Sequence, residues 1–194
     1  MKIFISHLHG DHCVGLLGLL QTMSMINRDK SLSVYGPRGL LGFLKGNIRS
    51  LKFGLTFPLE IHVVREGIVV DEKEYVIKSC RGEHRMTNFV YSLEEKKRPG
   101  VFNLDAVKKL GIPEGILWSK LQEGKSVVFN GQTIQPFFVL GPSRSGRKIV
   151  ISGDTRPTSK IKRFIDNADL AVLESTYFDD HKDNAKENLH MTAR

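Results

Sequence analysis

The stretch from His7 to His12 constrains the fold more than any other part of the chain. It reads His-Leu-His-Gly-Asp-His and places three imidazoles and one carboxylate within six positions. Imidazole and carboxylate groups are the ligands that borderline-hard divalent ions prefer. One histidine in a loop would carry little information, but four potential ligands at this spacing favour a metal site over a solvated polar loop. The fold therefore has to bring these side chains together.

The residues around this stretch predict a strand followed by a helix. The segment Lys2–Ser6 is rich in β-branched and aromatic residues, which is typical of a buried strand. The loop contains a glycine that permits a tight turn, and the apolar residues after it recur at helical spacing. Alternation along the backbone can point His7 and His9 in one direction, whereas the turn sends Asp11 and His12 elsewhere. That geometry suits two neighbouring metal ions better than one.

Composition and charge narrow the classes of protein. The 194 residues, of which 40% are hydrophobic, are enough for one domain with a sizeable core. No apolar run reaches membrane-spanning length and the start lacks a secretory pattern, so we expect a cytoplasmic protein with no membrane partner. Cys13 and Cys80 form no Cys-x-x-Cys motif, which argues against a disulfide framework. Together with a metal site, the net charge of +8 favours a nucleic-acid substrate.

Several motifs resemble those of one known family. His-x-His-x-Asp-His resembles the signature of the metallo-β-lactamase superfamily, and the longer runs Ile5–His12 and Gly15–Leu20 are similar to ribonuclease Z. Tyr35–Gly39 and Phe57–Leu59 resemble turns of the same family, so the resemblance covers nearly the whole chain. Ribonuclease Z enzymes are endonucleases that trim the 3′ trailer from precursor tRNA. The resemblance implies a fold of class α/β, in which two mixed sheets pack face to face with helices outside, as an αββα sandwich.

The resemblance also implies metal ligands in distant parts of the chain. A ligand histidine of the family precedes an aromatic strand, and His84 stands at this place, ahead of Phe89-Val90-Tyr91. The aspartate of a Ser-Gly-Asp-Thr turn bridges two metal ions in the family, and Asp154 stands in such a turn. The alternatives are a surface position for His84, beside two charged neighbours, and a helix N-cap for Asp154. With the other ligands present, we favour the ligand role for both. We expect two zinc ions. The ligands of the first are His7, His9, His84 and Asp154, and those of the second are Asp11, His12 and Asp154.

A glutamate and a histidine near the end of the chain resemble the proton-transfer pair of the family. Glu174 opens a Glu-x-Thr-x-Phe motif, and His190 opens a His-x-Thr motif. The resemblance implies that Glu174 orients His190, and that His190 protonates the leaving ribose oxygen. We expect Asp11, Glu174 and His190 to be the catalytic residues.

The composition changes between about residues 99 and 125, where glycines, prolines and lysines separate two predicted helices, Leu104–Leu110 and Ile116–Leu121. This segment resembles the arm with which ribonuclease Z grips the body of tRNA, although its tip lacks the usual Gly-Pro. The alternative is an ordinary solvated insertion. In a tRNA-gripping arm, the basic residues of this segment would make salt-sensitive, sequence-independent contacts to phosphates. The expected contacts are Lys96, Lys97, Arg98, Lys108, Lys109, Lys120 and Lys125.

Residues 1–194 are expected to form one partial metallo-β-lactamase-like domain, with the arm inserted at about 99–125. The family normally has a strand-rich segment before the His-x-His motif and a final ligand histidine after the His-x-Thr helix. We expect both to be absent here, so that the second metal site lacks one ligand. The resemblance implies a homodimer that acts on precursor tRNA. The alternatives are a hydrolase of another phosphodiester or ester, and a non-catalytic metal-binding or RNA-binding fragment.

Overall fold

The computed structural model describes residues 1–193, which divide into two compact units. The first unit comprises Met1–Glu72, Val76–Glu94 and the chain from Lys148 onward. The second unit comprises Lys73–Tyr75 and Glu95–Arg147. The arm expected at about 99–125 lies inside the second unit. Among the described residues, no helix combines the length and the apolar character needed to cross a membrane.

The two units contain short strands and helices. The strands are β1 (Lys2–Phe4), β2 (Leu32–Gly36), β3 (Leu59–Val63), β4 (Gly67–Asp71), β5 (Tyr75–Arg81), β6 (Phe89–Glu95), β7 (Val127–Phe129), β8 (Gln132–Ile134), β9 (Lys148–Ile151) and β10 (Leu170–Val172). The helices are α1 (Gly10–Cys13), α2 (Gly15–Met25), α3 (Leu40–Ser50), α4 (Leu104–Lys109), α5 (Ile116–Gln122), α6 (Ser159–Ile165) and α7 (Lys182–Asn188). Single 3₁₀ turns occur at Pro136–Phe138 and Asp179–His181.

The first unit contains a three-stranded sheet in the order β1-β2-β3. Both pairs of neighbouring strands are parallel. Each connection between consecutive strands includes a helix, which carries the chain back to the end where the previous strand began. The expectation of two mixed sheets is therefore wrong for this sheet, whose described strands all run the same way.

Apolar side chains of α2 and α3 cover one face of this sheet. Leu16 and Leu20 follow each other at helical spacing on α2, and Leu40 and Leu44 do so on α3. All four are buried against strand residues such as Val34, which is completely inaccessible to solvent. Burial of one such side chain contributes about 1.5–3 kcal/mol to stability. This core fixes the loop that follows β1.

The second sheet has the order β10-β9-β6-β5-β4 and is mixed, since β9 is antiparallel to β6 and parallel to β10. On one face, Val150 packs against Ile161 of α6. On the other face, Tyr91 lies close to β1. Its ring centroid is 5.4 Å from that of Phe4, and its hydroxyl donates a hydrogen bond to the carbonyl oxygen of Ile5 at 2.8 Å. The two sheets thus face each other with helices outside.

Some predicted boundaries are wrong by a few residues. The strand expected at Lys2–Ser6 ends at Phe4 and is only half-buried, because β1 lies at the edge of its sheet. Pro37 suits the first turn of a helix, but α3 begins only at Leu40, since Gly39 has a φ of 106° and cannot lie within a helix. The amphipathic pattern of Ser159–Ala168 predicts a helix, but α6 ends at Ile165. Asn167, with a φ of 58°, lies in the turn that follows.

The second unit has its own apolar core. Val107 of α4 and Leu121 of α5 are completely buried, and Val127 of the hairpin packs with them. The hairpin between β7 and β8 turns at Asn130 and Gly131, whose φ angles of 48° and 75° are those that a type I′ turn requires. Asn-Gly between two short β-prone runs is a strong sequence signal for a hairpin, and the structure confirms this prediction.

Candidate metal centre

The ring nitrogens of three histidines converge in the first unit. His7 Nε2 lies 3.0 Å from His9 Nδ1, and His84 Nε2 lies 3.1 Å from the same atom. Asp154 Oδ2 completes the group, at 3.7 Å from His7 Nε2 and 4.0 Å from His84 Nε2. The loop after β1, the segment before β6 and the turn after β9 supply these residues. The structure thus brings together all four side chains that were expected to bind the first ion.

Asp154 also belongs to a second group of ligand atoms. His12 Nε2 lies 3.2 Å from Asp154 Oδ1 and 3.3 Å from Asp11 Oδ2. Asp154 therefore presents one carboxylate oxygen to each group, while the side chain of Asp11 is 77% exposed. The turn between His9 and His12 separates the two groups, as the spacing of the loop predicts.

The chemistry of the first group fits a cation. A neutral imidazole carries one N–H and one lone pair, so three ring nitrogens that face one another cannot all be satisfied by hydrogen bonds. The Nδ1 atom of His84 donates to the carbonyl oxygen of Leu189 at 3.4 Å, which leaves the lone pair of Nε2 directed at the group. On its outer side, His7 Nδ1 lies 3.0 Å from the hydroxyl of Ser6. Three imidazoles and a carboxylate are a suitable ligand set for a divalent metal ion.

Burial keeps two of these histidines in the ligand form. Burial of His7 is the largest cause that lowers the pKa of this group to about 4, and the neighbouring His12 lowers it further, while Asp154 opposes the shift. Burial also lowers the pKa of His84. Both rings are therefore neutral at pH 7, with a lone pair to offer to a metal ion.

Three residues hold the turn that carries Asp154. The Asn88 side chain donates a hydrogen bond from Nδ2 to the backbone oxygen of Asp154. Thr155 is completely buried, and its hydroxyl accepts from the backbone N–H of Glu83 at 2.8 Å, next to His84. A Cβ atom at position 153 would lie 2.5 Å from the side chain of Ser6, so only glycine fits there.

Asn88 and Thr155 were not among the expected site residues. Thr155 belongs to the Ser-Gly-Asp-Thr motif that pointed to Asp154, so the motif was a signal for it. Asn88 had no local signal, because its partner is 66 residues further along the chain.

Glu174 and His190 form a hydrogen-bonded pair beside the first group. His190 Nδ1 lies 3.1 Å from Glu174 Oε1, and the ring of His190 lies 5.0 Å from that of His84, measured between centroids. Burial raises the pKa of Glu174, but hydrogen bonds from the backbone N–H groups of Thr176, Thr155 and Met191 outweigh it and hold this pKa below its ordinary value. Glu174 is therefore a carboxylate at neutral pH, which accepts the Nδ1 hydrogen of His190 and leaves Nε2 free for proton transfer.

The basic residues that were expected to contact RNA all belong to the second unit. Lys96, Lys97 and Arg98 line a cavity of about 340 Å³ together with Lys73 and Lys125. Glu74 and Glu123 also line this cavity. Lys108, Lys109 and Lys120 lie elsewhere, exposed on α4 and α5. Lys73 was not expected, although it lies in a charged turn that the sequence makes visible.

Curated relatives of the chain are ribonuclease Z proteins. Ribonuclease Z of Nitrosopumilus maritimus is 47% identical over 194 residues, which are 100% of this chain and 65% of that protein. Ribonuclease Z of Myxococcus xanthus is 41% identical over 193 residues, which are 99% of this chain and 63% of that protein. The chain thus spans slightly less than two thirds of the length of these relatives. No protein-family model matches the chain.

Solved structures show the same fold. The short form of human tRNase Z superimposes with a TM-score of 0.64 and 26% identity, over 99% of this chain and 64% of that one. The metallo-β-lactamase fold protein YhfI of Bacillus subtilis superimposes with a TM-score of 0.55 and 14% identity, over 98% of this chain and 55% of that one. The expected metallo-β-lactamase-like αββα sandwich is confirmed.

Proposed function

Since the chain is a relative of ribonuclease Z along its whole length and has the metallo-β-lactamase fold, we propose that it acts as a metal-dependent endoribonuclease. Its substrate is precursor tRNA, from which it removes the 3′ trailer. The observation that supports this proposal most directly is the convergence of the ligand group around Asp154 with the Glu174–His190 pair beside it. Hydrolysis of a phosphodiester needs both an activated water and a proton for the leaving oxygen.

The two ligand groups would hold two zinc ions, one in each. His7, His9 and His84 would bind the first, Asp11 and His12 would bind the second, and Asp154 belongs to both groups. When bound, such ions supply a nucleophile at neutral pH and positive charge for the phosphoryl oxygens. The buried histidines stay neutral at this pH, so few protons have to be displaced when a metal ion binds.

His190 would give a proton from Nε2 to the leaving oxygen. The oxygen of water forms a bond to phosphorus and the water loses one proton to solvent, while the bond from phosphorus to the ribose O3′ atom breaks and O3′ takes the proton from His190. Glu174 fixes the orientation of the ring by accepting a hydrogen bond from Nδ1, with 3.1 Å between Nδ1 and Oε1. The pair thus supplies the general acid of the proposed reaction.

The second unit would hold the substrate by its phosphates. Lys96, Lys97 and Arg98 line one basic cavity there, and Lys108 and Lys109 add exposed charge on α4. Contacts of this kind do not depend on the RNA sequence and weaken as salt is added. A homodimer, which the resemblance to ribonuclease Z implies, and a cytoplasmic location complete the proposal. Sedimentation of the purified chain tests the dimer.

Cleavage of a tRNA with a 3′ trailer tests the proposed activity. In the presence of zinc, we expect one cut near the discriminator base. Asp154→Ala removes a ligand from both groups and should abolish the cut, whereas Asp29→Ala, which changes an exposed aspartate, should leave it intact. Specific cleavage by the Asp154→Ala variant would contradict the proposal.

Elemental analysis of protein purified without chelator tests the two metal sites. We expect about two ions per chain, and nearly none in the Asp154→Ala variant. One ion in the unmodified chain would mean that only the first group binds metal under these conditions. It would then exclude the two-ion form of the proposal for the chain as given.

A further inference from the structure

A cavity of about 360 Å³ lies beside His190 in the first unit. Side chains of α7, of the segment before α6 and of the chain after α7 line it. Apart from Pro157 and Ala185, the lining residues are polar or charged: Glu83, Arg156, Lys182, Lys186, His190 and Thr192. Neither the sequence motifs nor the two metal groups assign a role to Lys182, Lys186 or Arg156.

The cavity carries an uncompensated positive charge. Arg156 forms an ion pair with Glu83, so these two charges cancel. Lys182 and Lys186 are exposed and lie one helical turn apart on α7, and neither ammonium group has a hydrogen-bond or ion-pair partner among the described residues. The acidic residues of the same helix, Asp183 and Glu187, do not line the cavity. Two like charges at this spacing repel each other, and an anion bound between them would relieve the repulsion.

The position of His190 determines which anion the cavity would take. This ring lines the cavity and also lies 5.0 Å from the ring of His84, measured between centroids, so it connects the cavity to the first metal group. In the proposed reaction, His190 protonates the O3′ atom that leaves. The cavity is therefore on the leaving-group side of the cleaved bond. The next anion along the RNA on that side is the 5′ phosphate of the same nucleotide.

We propose that Lys182 and Lys186 form a subsite for the backbone phosphate immediately 5′ of the cleaved phosphodiester. This inference rests on the proposed function, because the leaving-group side is defined by the role of His190. Lysine ammonium groups bind phosphate as point charges, which suits a contact that must accept any nucleotide. The Arg156–Glu83 pair also lines the cavity.

Salt-dependent binding of single-stranded RNA to the metal-free chain tests the subsite without requiring activity. We expect the Lys182→Gln/Lys186→Gln variant to bind less tightly. The slope of the logarithm of its binding constant against the logarithm of the salt concentration should be shallower by about 0.7, which is the value for one phosphate contact on a single strand. The matched control is Lys45→Gln/Arg49→Gln, which removes two exposed cations one turn apart on α3. Lys182→Arg/Lys186→Arg keeps the charge and should keep the slope.

A modified substrate tests which phosphate is bound. A neutral methylphosphonate at the position immediately 5′ of the cut should slow cleavage by the unmodified chain about tenfold, as expected when one charge-assisted hydrogen bond is removed. The same replacement should not slow the Lys182→Gln/Lys186→Gln variant any further. Inorganic phosphate should compete with the RNA for the unmodified chain, but less for this variant. Hydrolysis of bis(p-nitrophenyl) phosphate, which has no second phosphate, should be equal for both.

Two results would overturn the subsite. One is an unchanged salt slope in the variant, or an equal change in the α3 control. The other is a methylphosphonate effect that is the same in both forms of the chain. Failure of the proposed function gives a different result, namely no cleavage of RNA by the unmodified chain at any zinc concentration. The salt slope of the metal-free chain then still decides whether the two lysines bind a phosphate.

Discussion

At the scale of single residues, hydrogen bonds fix the backbone at Asp154, while its carboxylate remains available as a metal ligand. The Asn88 side chain donates a hydrogen bond to the backbone oxygen of Asp154. The hydroxyl of Thr155, the next residue, accepts a hydrogen bond from the backbone N–H of Glu83. The two carboxylate oxygens face His12 on one side and His7 and His84 on the other. The geometry of both ligand groups therefore depends on neighbours that bind no metal themselves.

The close approach at Gly153 gives a first prediction. In Gly153→Ala, the new Cβ atom would lie 2.5 Å from the Cβ and Oγ atoms of Ser6, so the turn after β9 must shift. We expect the free energy of unfolding to fall by about 1–3 kcal/mol, together with a loss of bound zinc. Urea denaturation and elemental analysis measure the two effects. Gly18→Ala on α2 meets nothing within 4 Å and is the control. Equal stability of the two variants would contradict the prediction.

The lowered pKa of Glu174 gives a prediction about pH. Because its pKa in the folded chain is below the ordinary value of 4.5, Glu174 stabilises the fold at pH values above 4.5. This stabilisation is lost as the pH falls through the folded-state pKa. Glu174→Gln removes the negative charge and replaces one of the two acceptor oxygens with an NH2 donor, so that at least one of the three backbone N–H groups loses its partner. This should cost about 1–3 kcal/mol at pH 7. The cost should shrink in acid.

Urea denaturation of the metal-free chain at neutral and acidic pH measures this difference. Glu187→Gln, which changes an exposed glutamate of α7, is the matched control and should have little effect at either pH. A cost for Glu174→Gln that stays the same at both pH values would show that the charge of the carboxylate is not what matters.

At the scale of elements, local sequence determined what forms, and tertiary contacts determined what pairs. Asn130 and Gly131 predict their hairpin because both residues adopt positive φ angles with little strain. The pairing of β6 with β9 has no such local signal, because the second unit separates the two strands in the chain. The wholly parallel first sheet follows from its helical connections, although the family resemblance suggested a mixed one.

The same division applies to the candidate site. The ligands in the loop after β1 were visible because four of them occur within six positions. His84 and Asp154 were selected with the help of the resemblance, since each alone can also be explained, as a surface residue or as a helix cap. Asn88 acts on a residue far along the chain, so nothing in its neighbourhood predicted its contact. The sequence thus predicted the candidate ligands better than the residues that hold them.

The core of the second unit determines how the residues proposed to bind RNA should be tested. Deletion of residues 99–125 would remove Val107 and Leu121, which would leave Val127 of the hairpin without its packing partners. Substitutions on the surface avoid this. We expect Lys108→Gln/Lys109→Gln to weaken binding of tRNA and to make its salt slope shallower by up to about 0.9 for each phosphate that is no longer neutralised. Lys30→Gln in the first unit is the control, and an unchanged slope would argue for an ordinary solvated insertion.

At the scale of the whole chain, an apolar strip is exposed on the sheet face that contains Tyr91. Val172 and Leu170 of β10 pair with Ile151 and Ile149 of β9, so all four side chains point to this face. Val172, Leu170 and Ile151 are each about half exposed. A contiguous apolar surface of this kind favours association with other apolar surfaces.

This strip predicts that the chain associates as its concentration rises. We expect Leu170→Thr/Val172→Thr to reduce association in sedimentation experiments and to reduce binding of a hydrophobic dye, because it removes apolar area from an exposed edge strand. Ile68→Thr also changes an exposed apolar strand residue, on β4 at the other edge of the sheet, and serves as the control. Association that is insensitive to the double substitution would assign the contact to another surface.

The position of the second unit in the chain has a consequence for the order of folding. Glu94 pairs with Lys148, and the backbone N–H of Glu95 donates a hydrogen bond to the carbonyl oxygen of Arg147 at 2.9 Å. The two ends of the segment Glu95–Arg147 are therefore adjacent. Closing a loop of that length costs entropy unless its ends are already held together. An insertion with its own core can hold its two ends together once it has folded. It would thereby lower the entropic cost of pairing β6 with β9. Because His84 precedes β6 and Asp154 follows β9, the chain would then acquire metal late, after the insertion has folded.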